Sequence, residues 1–296
     1  MLAKALRRSF SIQNISVIGA GQMGSGIGIV SAQTAKLQVR FIDSTEKGLQ
    51  TCQKRVLDYL NKRLHKNAIN DEEYYAILGR IAYSTYLEDT RDADIVVEAA
   101  NEDLSLKQNI FKQLDKIVRQ DAIIASNTSS ISITKLAAGL GDPSRFIGMH
   151  FFNPVPVMNL VEIIRGIQTA DGVVEKTKGL ATQMGKEFVL ANDVPGFITN
   201  RVLMPWVNEA VYALQENVAS REDIDKAMKL GTNVPMGPLT LADFIGLDTC
   251  LAILRVLHDG LGDQKFAPCP LLVKYVDAGY YGRKSGRGFY EYKKQG

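Results

Sequence analysis

The sequence predicts an α/β protein: a doubly wound parallel sheet wrapped by helices, followed by a smaller all-helical domain. Three observations carry this. Short β-branched runs alternate with longer segments of helical apolar spacing from Ile15 to about Leu190, the rhythm of strand–crossover–strand units. A glycine-rich turn, Gly19 to Gly24, directly follows the first of these runs and opens a helix. After Pro195-Gly196 the alternation stops and helical spacing takes over. With 296 residues, 46% of them hydrophobic, the chain has enough apolar surface for one large core and one smaller one.

In chain order, Ile15 to Ile18, Val39 to Ile42, Ile95 to Glu98, Ile123 to Ser126, Phe146 to His150 and Leu160 to Ile164 read as strands. Glu46 to His65, with Val56, Leu57, Leu60 and Leu64 at helical spacing, and Asp103 to Val118 read as crossover helices. In the last third no alternating run appears before Gly288-Phe289-Tyr290. Ser220 followed by Asp223 marks a helix start and Gly231 its stop, with Ile224, Ala227 and Met228 on one face. The expected boundaries are residues 13–196 for the sheet domain and 197–296 for the helical one.

Composition narrows the function classes. A formal charge of +3, with basic and acidic residues interspersed, does not make a nucleic-acid footprint. No stretch approaches the roughly 20 apolar residues of a membrane span. Cys52, Cys250 and Cys269 form no CxxC spacing, so no structural metal site is expected. The start of the chain differs from the rest: Lys4, Arg7 and Arg8 precede the first acidic residue, Asp43, and a helix would align Leu2, Leu6 and Phe10. This Arg-rich, acid-poor pattern predicts that residues 1–12 are a mitochondrial targeting segment outside the fold.

Gly19-Ala20-Gly21-Gln22-Met23-Gly24 fits G-x-G-x-x-G in the strand-to-helix context that makes the motif meaningful. Gly19 permits the tight turn, Gly21 lets backbone N–H groups near a pyrophosphate, and Gly24 allows close helix packing, with Gln22 and Met23 between them. The second strand ends in Asp43, where an acid would hydrogen-bond an adenosine ribose. That carboxylate would repel a 2′-phosphate, and Ser44 and Thr45 supply no arginine, so NAD is favoured over NADP.

Of three histidines, His65 falls in a charged helix and His258 in an apparent polar turn before Asp259-Gly260. His150 instead ends an apolar strand. Glu162 stands inside another, between Leu160-Val161 and Ile163-Ile164, where an unpaired carboxylate would be costly. The Asn153-Pro154-Val155-Pro156 turn would bring the two strands side by side and pair the anomalies. Glu162 would then orient the His150 ring and stabilise imidazolium, leaving the other ring nitrogen to take a proton from an alcohol.

These residues, with Ser126-Asn127-Thr128-Ser129-Ser130, His150-Phe151-Phe152-Asn153-Pro154, Asp193-Val194-Pro195-Gly196-Phe197-Ile198-Thr199-Asn200-Arg201 and Gly237-Pro238-Leu239, resemble the L-3-hydroxyacyl-CoA dehydrogenases of fatty-acid β-oxidation. The match runs in order from about Asn14 to Tyr290. The resemblance implies a Rossmann-type NAD domain, an acyl-CoA substrate, a homodimer formed through the C-terminal domain, and a mitochondrial matrix location. It makes His150 the base and Glu162 its partner, with Ser129 and Asn200 contacting the substrate hydroxyl or positioning the pair. Glu102 and Lys107 would approach the nicotinamide ribose and Asn153 the carboxamide, although a solvated helix face explains Glu102 and Lys107 as well. Some of Lys47, Lys54, Arg55, Lys62, Arg63 and Lys66 would meet the CoA 3′-phosphate, unless they form an ordinary charged face. The segment from Lys54 to Arg80 matches loosely, with Cys52 where the family pattern has a serine. Alternatives are a 3-hydroxybutyryl-CoA specialist, a gulonate-type free hydroxy-acid dehydrogenase, and a non-catalytic crystallin-like dinucleotide binder.

Overall fold

A computed structural model describes residues 12–292. The expected targeting segment therefore lies almost wholly outside the described residues. The chain divides into two compact units, Met1–Val194 and Pro195–Gly296.

The first unit is built on an eight-stranded sheet: β1 (Asn14–Ile18), β2 (Gln38–Ile42), β3 (Ile81–Ser84), β4 (Ile95–Glu98), β5 (Ile123–Ser126), β6 (Phe146–Phe151), β7 (Leu160–Arg165) and β8 (Glu187–Asn192). Their spatial order is β3-β2-β1-β4-β5-β6-β7-β8. The chain winds outward from β1 in one direction and from β4 in the other, so a crevice opens at the carboxyl ends of β1 and β4. All pairings are parallel except β6 with β7.

The central strands form because they are apolar on both faces. All four residues of β4 and of β5 are buried, as befits a sheet covered on two sides. The sequence reading names neither β3 nor β8. Both are edge strands with mostly half-exposed or exposed residues, so their apolar signal is thin. Tyr83 of β3 packs against the core and stacks on Phe41, with ring centroids 5.5 Å apart.

Helix α1 (Gln22–Gln33) lies flush on the sheet because glycine lines its inner face. A Cβ on Gly28 would fall 2.1 Å from the Phe41 ring, and one on Gly24 1.9 Å from the Gly19 carbonyl. Helix α2 (Glu46–His65) starts where the Thr45 hydroxyl accepts from Gly48 N, and buries Leu49, Cys52, Val56 and Leu60 along one stripe. Helices α3 (Asp71–Leu78), α4 (Leu104–Ile117), α5 (Ile133–Ala137) and α6 (Asp171–Gln183) complete the layers. Helix α4 is capped by Asp103, whose side chain accepts from Leu106 N at 2.7 Å.

The second unit contains α7 (Thr199–Gln215), α8 (Arg221–Gly231), α9 (Pro238–Ile245), α10 (Leu247–Leu261) and α11 (Pro270–Asp277) around a core that includes Val207, Leu239, Leu254, Phe266 and Phe289. Ser220 caps α8 by accepting from Asp223 N. The expected Ile224–Ala227–Met228 face is only partly right. Ile224 is buried, Ala227 is exposed, and the second buried residue is Asp225. Asp225 is drawn inward because it caps α9, accepting from Leu239 N at 2.8 Å and Thr240 N at 2.9 Å. His258 lies within α10 rather than in a turn, because the helix continues to a left-handed Gly262 before stopping. Asp243 fastens the last described segment by accepting from Phe289 N and Tyr290 N, both at 2.9 Å. No helix among the described residues is long and apolar enough to cross a membrane.

Candidate active site

The glycine turn forms the floor of the β1–β4 crevice. Gly19 adopts φ +89° and fits against β4, where a Cβ would fall 2.6 Å from the Ala99 carbonyl oxygen. At Gly21 a Cβ would meet nothing within 4 Å. This position thus faces open space in front of the α1 N-terminus, where backbone N–H groups favour an anion. Met23 packs against the core and Gln22 stands exposed. Asp43, just past β2, accepts from Ala20 N at 3.0 Å and from Thr45 N at 3.1 Å. It thereby ties the turn to the second strand and keeps acceptor capacity for a ribose hydroxyl. These residues fit a dinucleotide.

β6 and β7 run antiparallel with His150 directly opposite Glu162. Cross-strand neighbours on one face stand close enough to touch, and His150 Nδ1 lies 2.7 Å from Glu162 Oε2. Glu162 is 0% exposed and His150 7%. An ionised Glu162 accepts from a protonated Nδ1, and in that state proton exchange by the ring falls to Nε2. The ring also leans on Phe152 at 4.7 Å between centroids.

The loop between these strands is held from two sides. Gln22 Nε2 donates to Asn153 Oδ1 at 2.9 Å, and Gly26 leaves room for Val155, whose Cβ would be 2.8 Å from an added methyl. Lys186 donates to the carbonyls of Val155 at 2.6 Å and Met158 at 2.8 Å. Burial pulls the Lys186 ammonium below the usual lysine range.

Glu102, Lys107 and Ser129 form a second constellation across β4 and β5. Glu102 Oε1 accepts from Thr128 Oγ1 at 2.6 Å, Ser129 N at 2.9 Å and Ser130 Oγ at 3.0 Å. Burial raises the carboxyl's proton affinity, but the Lys107 charge and these hydrogen bonds outweigh it and hold Glu102 below the usual carboxylate range. The solvated-face reading of Lys107 is wrong: its side chain is 1% exposed and its ammonium lies 2.6 Å from Glu98 and 3.3 Å from Glu102. On α4, Lys107 shares the inward stripe with Phe111 and Leu114. Glu102 lies one residue before Asp103, the N-cap of α4.

In the second unit Asn200 is buried near the start of α7, after a turn with Gly196 at φ +75° and Phe197 at φ +49°. Along α2, Lys47, Lys54, Arg55, Lys62 and Lys66 are exposed and Arg63 is half-buried, a placement that suits a solvated charged face and a phosphate contact equally. Glu98 and Lys186 are not among the site residues expected from the sequence, and Asp193 enters there only within the block from Asp193 to Arg201. Glu98 carried a usable signal, an acid closing an apolar strand. Asp193 caps α5, accepting from Ile133 N and Thr134 N.

Residues 14–194 match the profile described as 3-hydroxyacyl-CoA dehydrogenase, NAD binding domain. Residues 196–292 match its C-terminal domain. The chain belongs to the 3-hydroxyacyl-CoA dehydrogenase family. It is 51% identical over 284 residues to a probable 3-hydroxybutyryl-CoA dehydrogenase of Bacillus subtilis, covering 96% of this chain and 99% of that protein. A hydroxyacyl-coenzyme A dehydrogenase, mitochondrial, of Sus scrofa is 40% identical, with 98% and 95% covered. Among solved structures, (S)-3-hydroxybutyryl-CoA dehydrogenase from Ralstonia eutropha superposes with a TM-score of 0.93 at 48% identity, covering 96% of this chain and all (100%) of the other. The protein is thus an NAD-dependent dehydrogenase of the 3-hydroxyacyl-CoA type.

Proposed function

We propose that the protein oxidises short-chain L-3-hydroxyacyl-CoA, 3-hydroxybutyryl-CoA foremost, to the 3-ketoacyl-CoA, with His150 as general base. The observation that carries the base assignment is the 2.7 Å contact between His150 Nδ1 and the buried Glu162 carboxylate. Bound NAD supplies the hydride acceptor. His150 Nε2 takes the proton of the substrate hydroxyl, and Glu162 holds the ring and stabilises the imidazolium that forms. Ser129, in the turn organised by Glu102, is proposed to meet the substrate hydroxyl. Asn200 is assigned the same task on the family resemblance alone. Gly19, Gly21, Gln22, Met23, Gly24 and Asp43 form the proposed pyrophosphate and adenosine-ribose side, and Glu102, Lys107, Ser129 and Asn153 the nicotinamide side. Preference for a four-carbon acyl group rests on the names of the relatives reported above.

The test is NADH oxidation with acetoacetyl-CoA and with longer 3-ketoacyl-CoAs, on wild type and His150→Ala. Wild type should turn over acetoacetyl-CoA best, and the variant should lose about 10²- to 10⁴-fold in kcat. Wild type inactive on every ester, or a fully active variant, refutes the reading; equal use of NADPH refutes the Asp43 argument.

The second unit is proposed to carry substrate contacts and a homodimer interface. Val202, Val218 and Leu230 of that unit, 69–70% exposed, supply apolar surface for it. A mitochondrial matrix location is proposed from Lys4, Arg7 and Arg8 ahead of any acidic residue. An import assay with isolated mitochondria checks it: uptake that depends on residues 1–12 and on membrane potential is expected, and uptake without them refutes it.

A further inference from the structure

We propose that Glu98 is a positioning residue of the cofactor site: through the Lys107 ammonium, its buried carboxylate holds Glu102, and with it the Thr128–Ser130 turn, in place. The inference rests on the reading that this turn faces cofactor and substrate. Glu98 ends β4 at the crevice and is 0% exposed. Its Oε1 accepts from Lys107 Nζ and from Ala100 N, both at 2.6 Å, and its Oε2 accepts from Ser126 Oγ at 2.7 Å. One carboxylate therefore joins the end of β4, the loop after it, the end of β5 and the first turns of α4.

An ammonium has three N–H donors. Lys107 donates to Glu98 Oε1 at 2.6 Å and to the Ala100 carbonyl at 3.2 Å, and its charge lies 3.3 Å from Glu102 Oε2 as an ion pair. The pairing is unequal. Glu98 is the near and fully buried partner, whereas the Glu102 side chain is 37% exposed. Charge attraction strengthens as water is excluded, so Glu98 decides where the ammonium sits, and Glu102 takes its position from it. Neutralising Glu98 leaves Glu102 as the sole counter-charge. Lys107 then moves toward it and draws its carboxylate away from Ser129 and Ser130. A purely structural acid would show nothing of this in the kinetics of the folded enzyme.

The experiment measures KM for NADH and kcat with acetoacetyl-CoA for wild type, Glu98→Gln, Lys107→Met and the double variant, at a temperature where circular dichroism shows each folded. Glu98→Gln should raise KM for NADH about tenfold with kcat within about threefold, the scale of a charged hydrogen bond. In the Lys107→Met background the same change should alter KM less than about twofold, because the tether is already cut. A wild-type KM in Glu98→Gln with only a lower Tm overturns the inference, as do effects that multiply independently. If Glu98→Gln does not fold, Glu98→Asp keeps the charge and shortens the reach. A raised KM that vanishes in the Lys107→Met background supports the tether, and a wild-type KM overturns it. Wild type without NADH-dependent turnover refutes the reading of the site itself, and the inference with it.

Discussion

At the residue scale, Glu98 and Glu162 are carboxylates placed where water cannot solvate them. Glu162 is fully buried and has His150 within hydrogen-bond distance. Removing one partner of such a pair leaves the other stranded, at a cost of about 3–5 kcal/mol. His150→Ala is therefore expected to destabilise the protein as well as inactivate it. Glu162→Gln preserves shape and a hydrogen bond but cannot stabilise imidazolium, so kcat should fall about 10²-fold or more with little change in KM for NADH. A Glu162→Gln enzyme with wild-type kcat would remove Glu162 from the mechanism.

Glu102 gives a prediction in pH. Its carboxyl titrates below the usual range in the folded state. Its contribution to stability is accordingly complete above the ordinary carboxylate pKa and is lost as pH falls through the lowered value. Glu102→Gln should lower stability at pH 7 by about 1 kcal/mol, a small figure because the side chain is partly solvated. The gap from wild type should close as the medium becomes strongly acidic. Thermal unfolding of both proteins from pH 7 to pH 3 checks this, and a gap that widens on acidification would contradict the assignment.

At the element scale, α1 does two things at once: it presents its N-terminus to the crevice and fits into a space with no room for side chains. Gly28 shows the second demand. A methyl there would intrude on the Phe41 ring at 2.1 Å, so Gly28→Ala should cost about 1–3 kcal/mol through overpacking. That exceeds the helix propensity alanine would gain. Differential scanning calorimetry should show a lowered Tm; a raised Tm would mean that Phe41 yields freely. The antiparallel β6–β7 pair is the other decisive element. Because side chains alternate along a strand, a slip of one residue would turn Glu162 to the opposite face from His150.

At the scale of the whole molecule, the proposed homodimer predicts a sedimenting species of twice the 32.6 kDa chain mass. Replacing Val202 or Leu230 by glutamate should shift it toward monomer while far-ultraviolet circular dichroism stays unchanged, because both side chains are largely exposed. A wild-type monomer at micromolar concentration would refute the dimer.

The sequence alone determined whatever depends on local pattern. The strands from Ile15, Val39, Ile95 and Ile123, the long helix Glu46–His65, the change of rhythm at Pro195-Gly196 and the glycine turn were all legible, because each is written in consecutive residues. His150 and Glu162 were legible too, as polar residues in apolar strands that needed an answer. Tertiary structure decided the rest. Edge strands β3 and β8 acquire their partners only from the sheet. Lys107 looks like any helix lysine until α4 turns it inward onto Glu98, 2.6 Å away. Asp225 is buried beside Ile224 because it caps a helix that begins 13 residues later, at Pro238. Burial and charge pairing are properties of neighbours brought together across the fold, and no local spacing rule carries them.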